Sequence, residues 1–210
     1  ILIKEVFMSS TNRGYDRHAT DYYVTPKDAV RIFLKHFRDD VLKGEFFDDT
    51  TGFGQAPQLC EYLDPCAGGD GGHDMTYPYV IKETFNPEIL TTIDIREDSR
   101  AERKEDYLDA KIDIPPDIII TNPPFYLAKE IIEKALSDVK GYGYVIMLLR
   151  LNFFGSNDRF KFFQRQMPIA SYVHHRRFSF TDNSKTDSIE YMHAVGQKDT
   201  DPEFTMLKVI

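Results

Sequence analysis

Apolar residues recur along this chain either at helical spacing or in short continuous runs, and the two patterns alternate. Val30, Phe33, Leu34 and Phe37 fall on one helical face, behind a start signal with Thr25 as N-cap, Pro26 at the first helical position and Asp28 in the first turn. Leu59 to Leu63 and Leu90 to Ile95 are short apolar runs with a carboxylate at or near their C-terminal ends, Asp64 and Asp94. The run Asp117 to Thr121, which begins after Pro116, is too short and too β-branched for a comfortable helix and reads as a buried strand. Leu127 to Val139 returns to helical spacing, with apolar residues at 128, 131, 132, 135 and 136. Tyr142 to Leu151 is nearly all apolar, as a strand covered on both faces would be. Ala170 to His174, Glu190 to Val195 and Phe204 to Ile210 complete the expected strands, the last two near enough in sequence to pair as an antiparallel hairpin. Strands alternating with helices predict an α/β fold with a doubly wound, mostly parallel sheet.

The chain has 210 residues, 41% hydrophobic and 13% aromatic, enough for one well-cored domain. The expected organisation is an N-terminal extension over 1–20 and a single domain over 21–210, with a loop insertion over 43–58 rich in glycine and acidic residues. No separate domain that could read nucleic-acid sequence is expected, and no internal repeat is found. No window approaches the roughly 20 apolar residues of a membrane span, and the opening Ile1-Leu2-Ile3-Lys4-Glu5 lacks a signal-peptide core, so a soluble cytoplasmic protein with no membrane partner is expected. Cys60 and Cys66 lack the spacing of a metal site and read as small buried thiols; no metal is expected.

A net charge of −8 argues against a surface coated for unspecific nucleic-acid binding. Its distribution matters more. Between Leu151 and Lys185 the local balance is +4, carried by residues including Arg159, Lys161, Arg165, Arg176 and Arg177. That stretch is either a phosphate-facing patch or a solvated mixed surface.

In an open α/β sheet, ligands bind outside the C-terminal ends of the strands, and the unusual residues of this chain fall there: Asp64, the glycines of 68–72, Asp94 and Asn122. The glycine turn matches neither familiar phosphate loop, since no Gly-Lys-Ser/Thr follows and a third glycine is missing. The two aspartates suit a ligand with a cationic amino group and a ribose diol, because carboxylates accept from both; each taken singly reads more readily as a cap or turn residue. Asn122-Pro123-Pro124-Phe125 is a stiff turn whose prolines donate no hydrogen bond. A rigid pair of acceptors beside an aromatic ring suits the exocyclic amine of a flat base.

Thr25-Pro26, Asp64-Pro65-Cys66-Ala67-Gly68-Gly69, Asp94-Ile95, Asp106-Tyr107 and Asn122-Pro123-Pro124-Phe125 occur in the order found in S-adenosylmethionine-dependent amino-methyltransferases, and the chain resembles that family. The runs 92–99, 144–153 and 186–191 look more narrowly like the small DNA N6-adenine methyltransferases of bacteriophages. The resemblance spans roughly Asp21 to Val195. It implies a Rossmann-like class I methyltransferase fold with a seven-stranded sheet. It also implies transfer of a methyl group from S-adenosylmethionine, leaving S-adenosylhomocysteine, to adenine N6 in DNA in a bacterial host cytoplasm.

By the same resemblance Tyr23, Thr25, Pro26, Asp64, Pro65, Ala67, Gly68, Asp94, Ile95, Asp106 and Tyr107 bind the cofactor. Thr25 and Pro26 would lie near the methionine carboxylate, Asp64 near its amino group, and Asp94 at the ribose, with Asp106, Ile95 and Tyr107 around the adenine. Asn122, Pro123, Pro124 and Phe125 form the catalytic motif, and Phe125, Phe180, Arg150, Arg176 and Arg177 are the expected contacts to nucleic acid. Three residues keep a second reading: Phe180 as a core phenylalanine, Arg150 as an ion-pair partner, and Asp106 as the charged end of a helix. Alternatives for the whole chain are the same chemistry on an rRNA base or protein glutamine, or a noncatalytic DNA-binding module.

Overall fold

A computed structural model describes residues 23–43, 56–180 and 188–210. The N-terminal extension, most of the predicted loop insertion and the Thr186-Asp187 part of the tail motif lie outside the described residues.

Among the described residues eight strands form one sheet: β1 (Tyr62–Asp64), β2 (Leu90–Asp94), β3 (Arg103–Lys104), β4 (Ile118–Thr121), β5 (Tyr144–Arg150), β6 (Ala170–Val173), β7 (Tyr191–Gln197) and β8 (Met206–Val209). Their order is β3-β2-β1-β4-β5-β7-β6-β8. The first five are mutually parallel, and β7 inserts antiparallel between β5 and β6. The order reverses beside β1, as it does in doubly wound sheets that bind ligands at that crevice. Among the described residues four α-helices flank the sheet: α1 (Lys27–Phe37), α2 (Thr76–Thr84), α3 (Ala128–Asp138) and α4 (Asn157–Phe163).

Each face of the sheet carries its own core. Phe33, Leu34 and Phe37 of α1 pack with Val80 and Ile81 of α2 against Tyr62, Ile118, Ile120 and Ile146. On the opposite face, Ile131, Ile132 and Ala135 of α3 pack with Leu63, Ile119, Val145 and Met147. The split follows from the strand period of two: Ile118 and Ile120 go one way and Ile119 the other, so a run of β-branched residues feeds both cores.

The sheet has eight strands rather than seven, and the predicted C-terminal hairpin does not form. β7 and β8 run in opposite directions, as their short connection requires, but β6 lies between them and β8 pairs with β6 in parallel. The reason is burial: β7 is covered along nearly its whole length and needs a neighbour on each side, whereas β8 alternates half-buried and exposed residues, as an edge strand does. The eighth strand is tied back by Lys208, whose ammonium donates to both oxygens of the buried Asp40 carboxylate just after α1, at 2.7 and 2.9 Å.

Two helices carried no clear signal in the pattern. In α2, Pro78 occupies the third helical position, where a missing N–H costs little; α4 is only seven residues long. The start of α1 also differs from expectation. Its first residue is Lys27, Pro26 stands at the cap position, and no side chain caps it. The Thr25 hydroxyl is used elsewhere.

Candidate active site

The strands β1, β2 and β4 are neighbours, so their C-terminal ends bring Asp64, Asp94 and Asn122 to one edge of the sheet. A cleft of about 250 Å³ opens there. Tyr23, Thr25, Pro65, Ala67, Gly68, Asp94, Ile95, Asp106, Tyr107, Asn122 and Pro124 all line it. Residues 97 positions apart thus converge, while Pro26, Asp64, Pro123 and Phe125 are not among the lining residues.

The glycine turn owes its shape to two backbone positions that only glycine adopts without strain: Gly68 at φ 67° and Gly69 at φ 74°. A Cβ on Gly69 would come within 2.8 Å of the Met75 side chain. Asp94 pins this turn. Its Oδ2 accepts the Gly68 N–H at 2.7 Å, and its Oδ1 accepts the Arg96 N–H at 2.9 Å and the Arg96 Nε at 3.3 Å. Arg96 continues the brace by donating to the Gly69 carbonyl at 2.6 Å, and the Ser99 hydroxyl donates to the Gly68 carbonyl at 2.7 Å. Three of the roughly four acceptor positions on Asp94 are therefore occupied by protein, leaving about one for a ligand hydroxyl.

Asp64 lies underneath. Its side chain is wholly buried, Oδ1 accepts the Cys66 N–H at 3.2 Å, and Oδ2 has no hydrogen-bond partner. Burial pushes its carboxyl up to about 7, against the pull of the Thr121 hydroxyl and the Cys66 N–H, and the Asp94 charge adds to the rise. With no exposed atom, Asp64 anchors the turn from below instead of lining the cleft. Burial pushes both thiols up, Cys60 to about 11 and Cys66 well above the ordinary range, which disfavours the reactive thiolate.

At the far end of the cleft Asp106 is not the end of a helix. It follows the short edge strand β3 and shapes a turn, one carboxylate oxygen accepting the Leu108 N–H at 2.9 Å. The neighbouring Tyr107 is buried, with its hydroxyl donating to Asp138 at 2.8 Å. Ile95 and Tyr126, by contrast, leave 60% and 72% of their surface open while lining the cleft. Two large apolar surfaces facing a polar-floored cleft are suited to sandwich or edge a flat ring.

Asn122 supplies the most specific geometry. Its Nδ2 donates to the Thr25 hydroxyl at 3.1 Å, which orients the amide, and its Oδ1 is buried with no partner at all. A buried acceptor left unmade costs roughly 1–3 kcal/mol. Behind it, Phe125 packs on Tyr191 with ring centres 5.7 Å apart and carries the Arg150 guanidinium 4.6 Å from its centre. Phe180 meets the same Tyr191 at 5.0 Å and reaches Tyr23 of the cleft at 5.9 Å. Phe178, buried, lies flat on Tyr191 at 5.3 Å and an interplanar angle of 7°. The aromatic residues of the motif and of the tail therefore form one wall, with Tyr191 at its centre.

Among the described residues no carboxylate pairs with Arg150, and its Nε is buried without a hydrogen-bond partner. Arg177 is half-exposed and paired with Glu190 at 3.1 Å, and Arg176 is exposed. Arg159 lies over the Phe153 ring at 4.4 Å. No group of three or more His, Cys, Asp or Glu side chains that could hold a metal exists among the described residues, and no helix among them is long and apolar enough to cross a membrane.

Sequence reasoning missed Tyr126 and Tyr77, and it gave no role of their own to Arg96 and Tyr191, which fall in the runs 92–99 and 186–191. Tyr126 directly follows the motif and could have been read with it; Tyr77 has no local signal, because its partner His193 is distant in the chain, and Arg96 joins the nearby Asp94 to the distant Gly69 carbonyl.

No protein-family model and no curated protein matches the chain. Solved structures do share its fold. A Listeria monocytogenes protein named as a class I S-adenosylmethionine-dependent methyltransferase superposes with a TM-score of 0.61 at 14% identity, over 89% of this chain and 65% of that one. A Pyrococcus horikoshii protein named as an RNA methyltransferase superposes with a TM-score of 0.57 at 12% identity, over 90% of this chain and 94% of that one. This chain spans 65% of the length of the Listeria protein. The fold is that of class I methyltransferases.

Proposed function

We propose that this chain is an S-adenosylmethionine-dependent methyltransferase acting on the exocyclic N6 amine of adenine in DNA, of the kind carried by bacteriophages. The observation that carries the reading is the partnerless, buried Oδ1 of Asn122 at the cleft wall, oriented by Thr25. The cleft fits the cofactor: Ile95 and Tyr126 offer apolar surface for a flat ring, Asp94 and Asp106 offer carboxylate oxygen, and Gly68 and Gly69 leave room for close approach.

When bound, S-adenosylmethionine supplies an electrophilic methyl group on a sulfonium. The chain's own residues prepare the acceptor. The lone pair of an aryl amine is delocalised into its ring, so the nitrogen is a poor nucleophile. Asn122 Oδ1 and the Pro123 carbonyl accept its two hydrogens, draw it toward tetrahedral geometry, and stabilise the positive charge that develops on it. Fixing the amine in line also provides the proximity contribution. A base in a duplex cannot reach this wall, so it flips out at a cost of roughly a few kcal/mol, which stacking on Phe125 and Phe180 offsets. In this reading Arg150, Arg176 and Arg177 meet the phosphates, and the exposure of Arg176 supports it.

The test is a transfer assay with methyl-labelled S-adenosylmethionine offered unmethylated DNA, rRNA and protein in parallel. Label in DNA at adenine N6 is expected. Label in rRNA or protein without DNA would move the same chemistry to another acceptor, and cofactor binding without any transfer would leave a binding module.

A further inference from the structure

Three neutral polar side chains are hydrogen-bonded in series through the core. The Tyr77 hydroxyl on α2 is 2.8 Å from His193 Nε2 in the middle of β7, and His193 Nδ1 is 2.8 Å from His174 Nε2 just beyond β6. Tyr77 lines the cleft while only 3% exposed; His193 is completely buried and His174 is 5% exposed. Burial pushes both imidazoles down, His174 to about 4 with His175 adding to the effect, and pushes the Tyr77 phenol well above its usual range. All three are uncharged at neutral pH.

A neutral imidazole has one N–H and one bare nitrogen, so such a series runs in only one of two directions. In the first, Tyr77 donates to His193, whose Nδ1–H donates to His174 Nε2. In the second, His174 Nε2–H donates to His193 Nδ1, and His193 Nε2–H donates to the Tyr77 oxygen. Only then is the Tyr77 proton free for the cleft. The His193 ring cannot simply flip, because it is stacked on Phe33 at 4.1 Å and 12°. Both directions hold three protons: reversal takes one in at Tyr77 from water in the cleft and releases one from His174 Nδ1 to water, His174 being 5% exposed.

The two ends of the series lie at the two halves of the site. Tyr77 follows Thr76, whose hydroxyl donates to the Thr25 carbonyl at 3.0 Å, so it borders the wall that holds Asn122. His174 meets the Phe178 ring edge-on at 4.7 Å and donates its backbone N–H to the Tyr191 carbonyl at 2.9 Å, so it touches the aromatic wall. Resting on the cofactor reading above, we propose that Tyr77 is a cofactor-binding residue and that His193 and His174 are positioning residues: an acceptor in the cleft such as a carboxylate receives a hydrogen bond from the Tyr77 hydroxyl, which keeps its proton, and so favours the second direction, linking cleft occupancy to the acceptor wall.

The experiment is nitrogen NMR of the full chain labelled with ¹⁵N-histidine, titrated with S-adenosylhomocysteine, with calorimetry alongside. Binding should move the proton of both imidazoles from Nδ1 to Nε2 together. Tyr77→Phe should weaken binding of S-adenosylhomocysteine about fivefold to tenfold, abolish the imidazole response, and leave the protein folded. Calorimetric binding with both imidazoles unchanged overturns this inference alone, as does full affinity in Tyr77→Phe. No binding at all overturns the cofactor reading and this inference with it.

Discussion

The Thr25 hydroxyl accepts a hydrogen bond from the Asn122 side-chain amide at 3.1 Å across 97 residues of sequence, and that bond decides which way the amide oxygen points. Thr25→Val keeps the shape and removes the acceptor. Turnover should fall about tenfold, with Thr25→Ser restoring most of it, as measured by single-turnover transfer of label.

Asn122→Ala removes the partnerless Oδ1 itself. The rate of transfer should fall on the order of a hundredfold or more while affinity for S-adenosylhomocysteine changes little, because the acceptor acts on the developing charge rather than on the cofactor. Retained turnover would remove Asn122 from the mechanism.

Gly69→Ala meets both a left-handed backbone at φ 74° and the Met75 side chain 2.8 Å from the new Cβ. The variant should lose about 1–2 kcal/mol, a fall in Tm of roughly 5 °C by calorimetry. It should also lose cofactor affinity, since the turn forms part of the cleft.

Acid should destabilise the fold through the buried histidines. The folded-state pKa of His174 is pushed down to about 4 from 6.5, so between these values the unfolded chain binds a proton that the folded one refuses. Stability should therefore fall as pH drops from about 6.5 to about 4, by about 3 kcal/mol for this group. Asp64 acts oppositely: its folded-state pKa is pushed up to about 7, so it costs stability as pH rises through that range. Urea unfolding of Asp64→Asn as a function of pH isolates the histidine contribution, and adding His174→Gln should flatten the slope.

Much of the sheet was legible because strands buried on both faces must be largely apolar, and the runs at 118–120 and 144–149 are. The strand ends were legible for the same reason: Asp64, Asp94 and Asn122 are conspicuous after such runs. The final strand was misread as the partner of β7 because adjacency in sequence favours a hairpin, whereas the covered face of β7 required β6 beside it. Thr25 was read as a helix cap because cap residues are recognised locally, yet its hydroxyl has a partner 97 residues away.

The amino-acid sequence by itself determined the α/β class, the stiff Asn122-Pro123-Pro124-Phe125 turn and the glycine turn, since each depends on the period of apolar residues or on the backbone freedom of proline and glycine. Tertiary structure alone decided that Asp64 is an anchor beneath the cleft, that Asp94 and Arg96 brace the turn, that Phe125 and Phe180 share Tyr191, and that Tyr77, His193 and His174 join in series. The reason is physical: burial and hydrogen-bond partners are pairwise properties of groups brought together by packing, and no spacing along the chain encodes them.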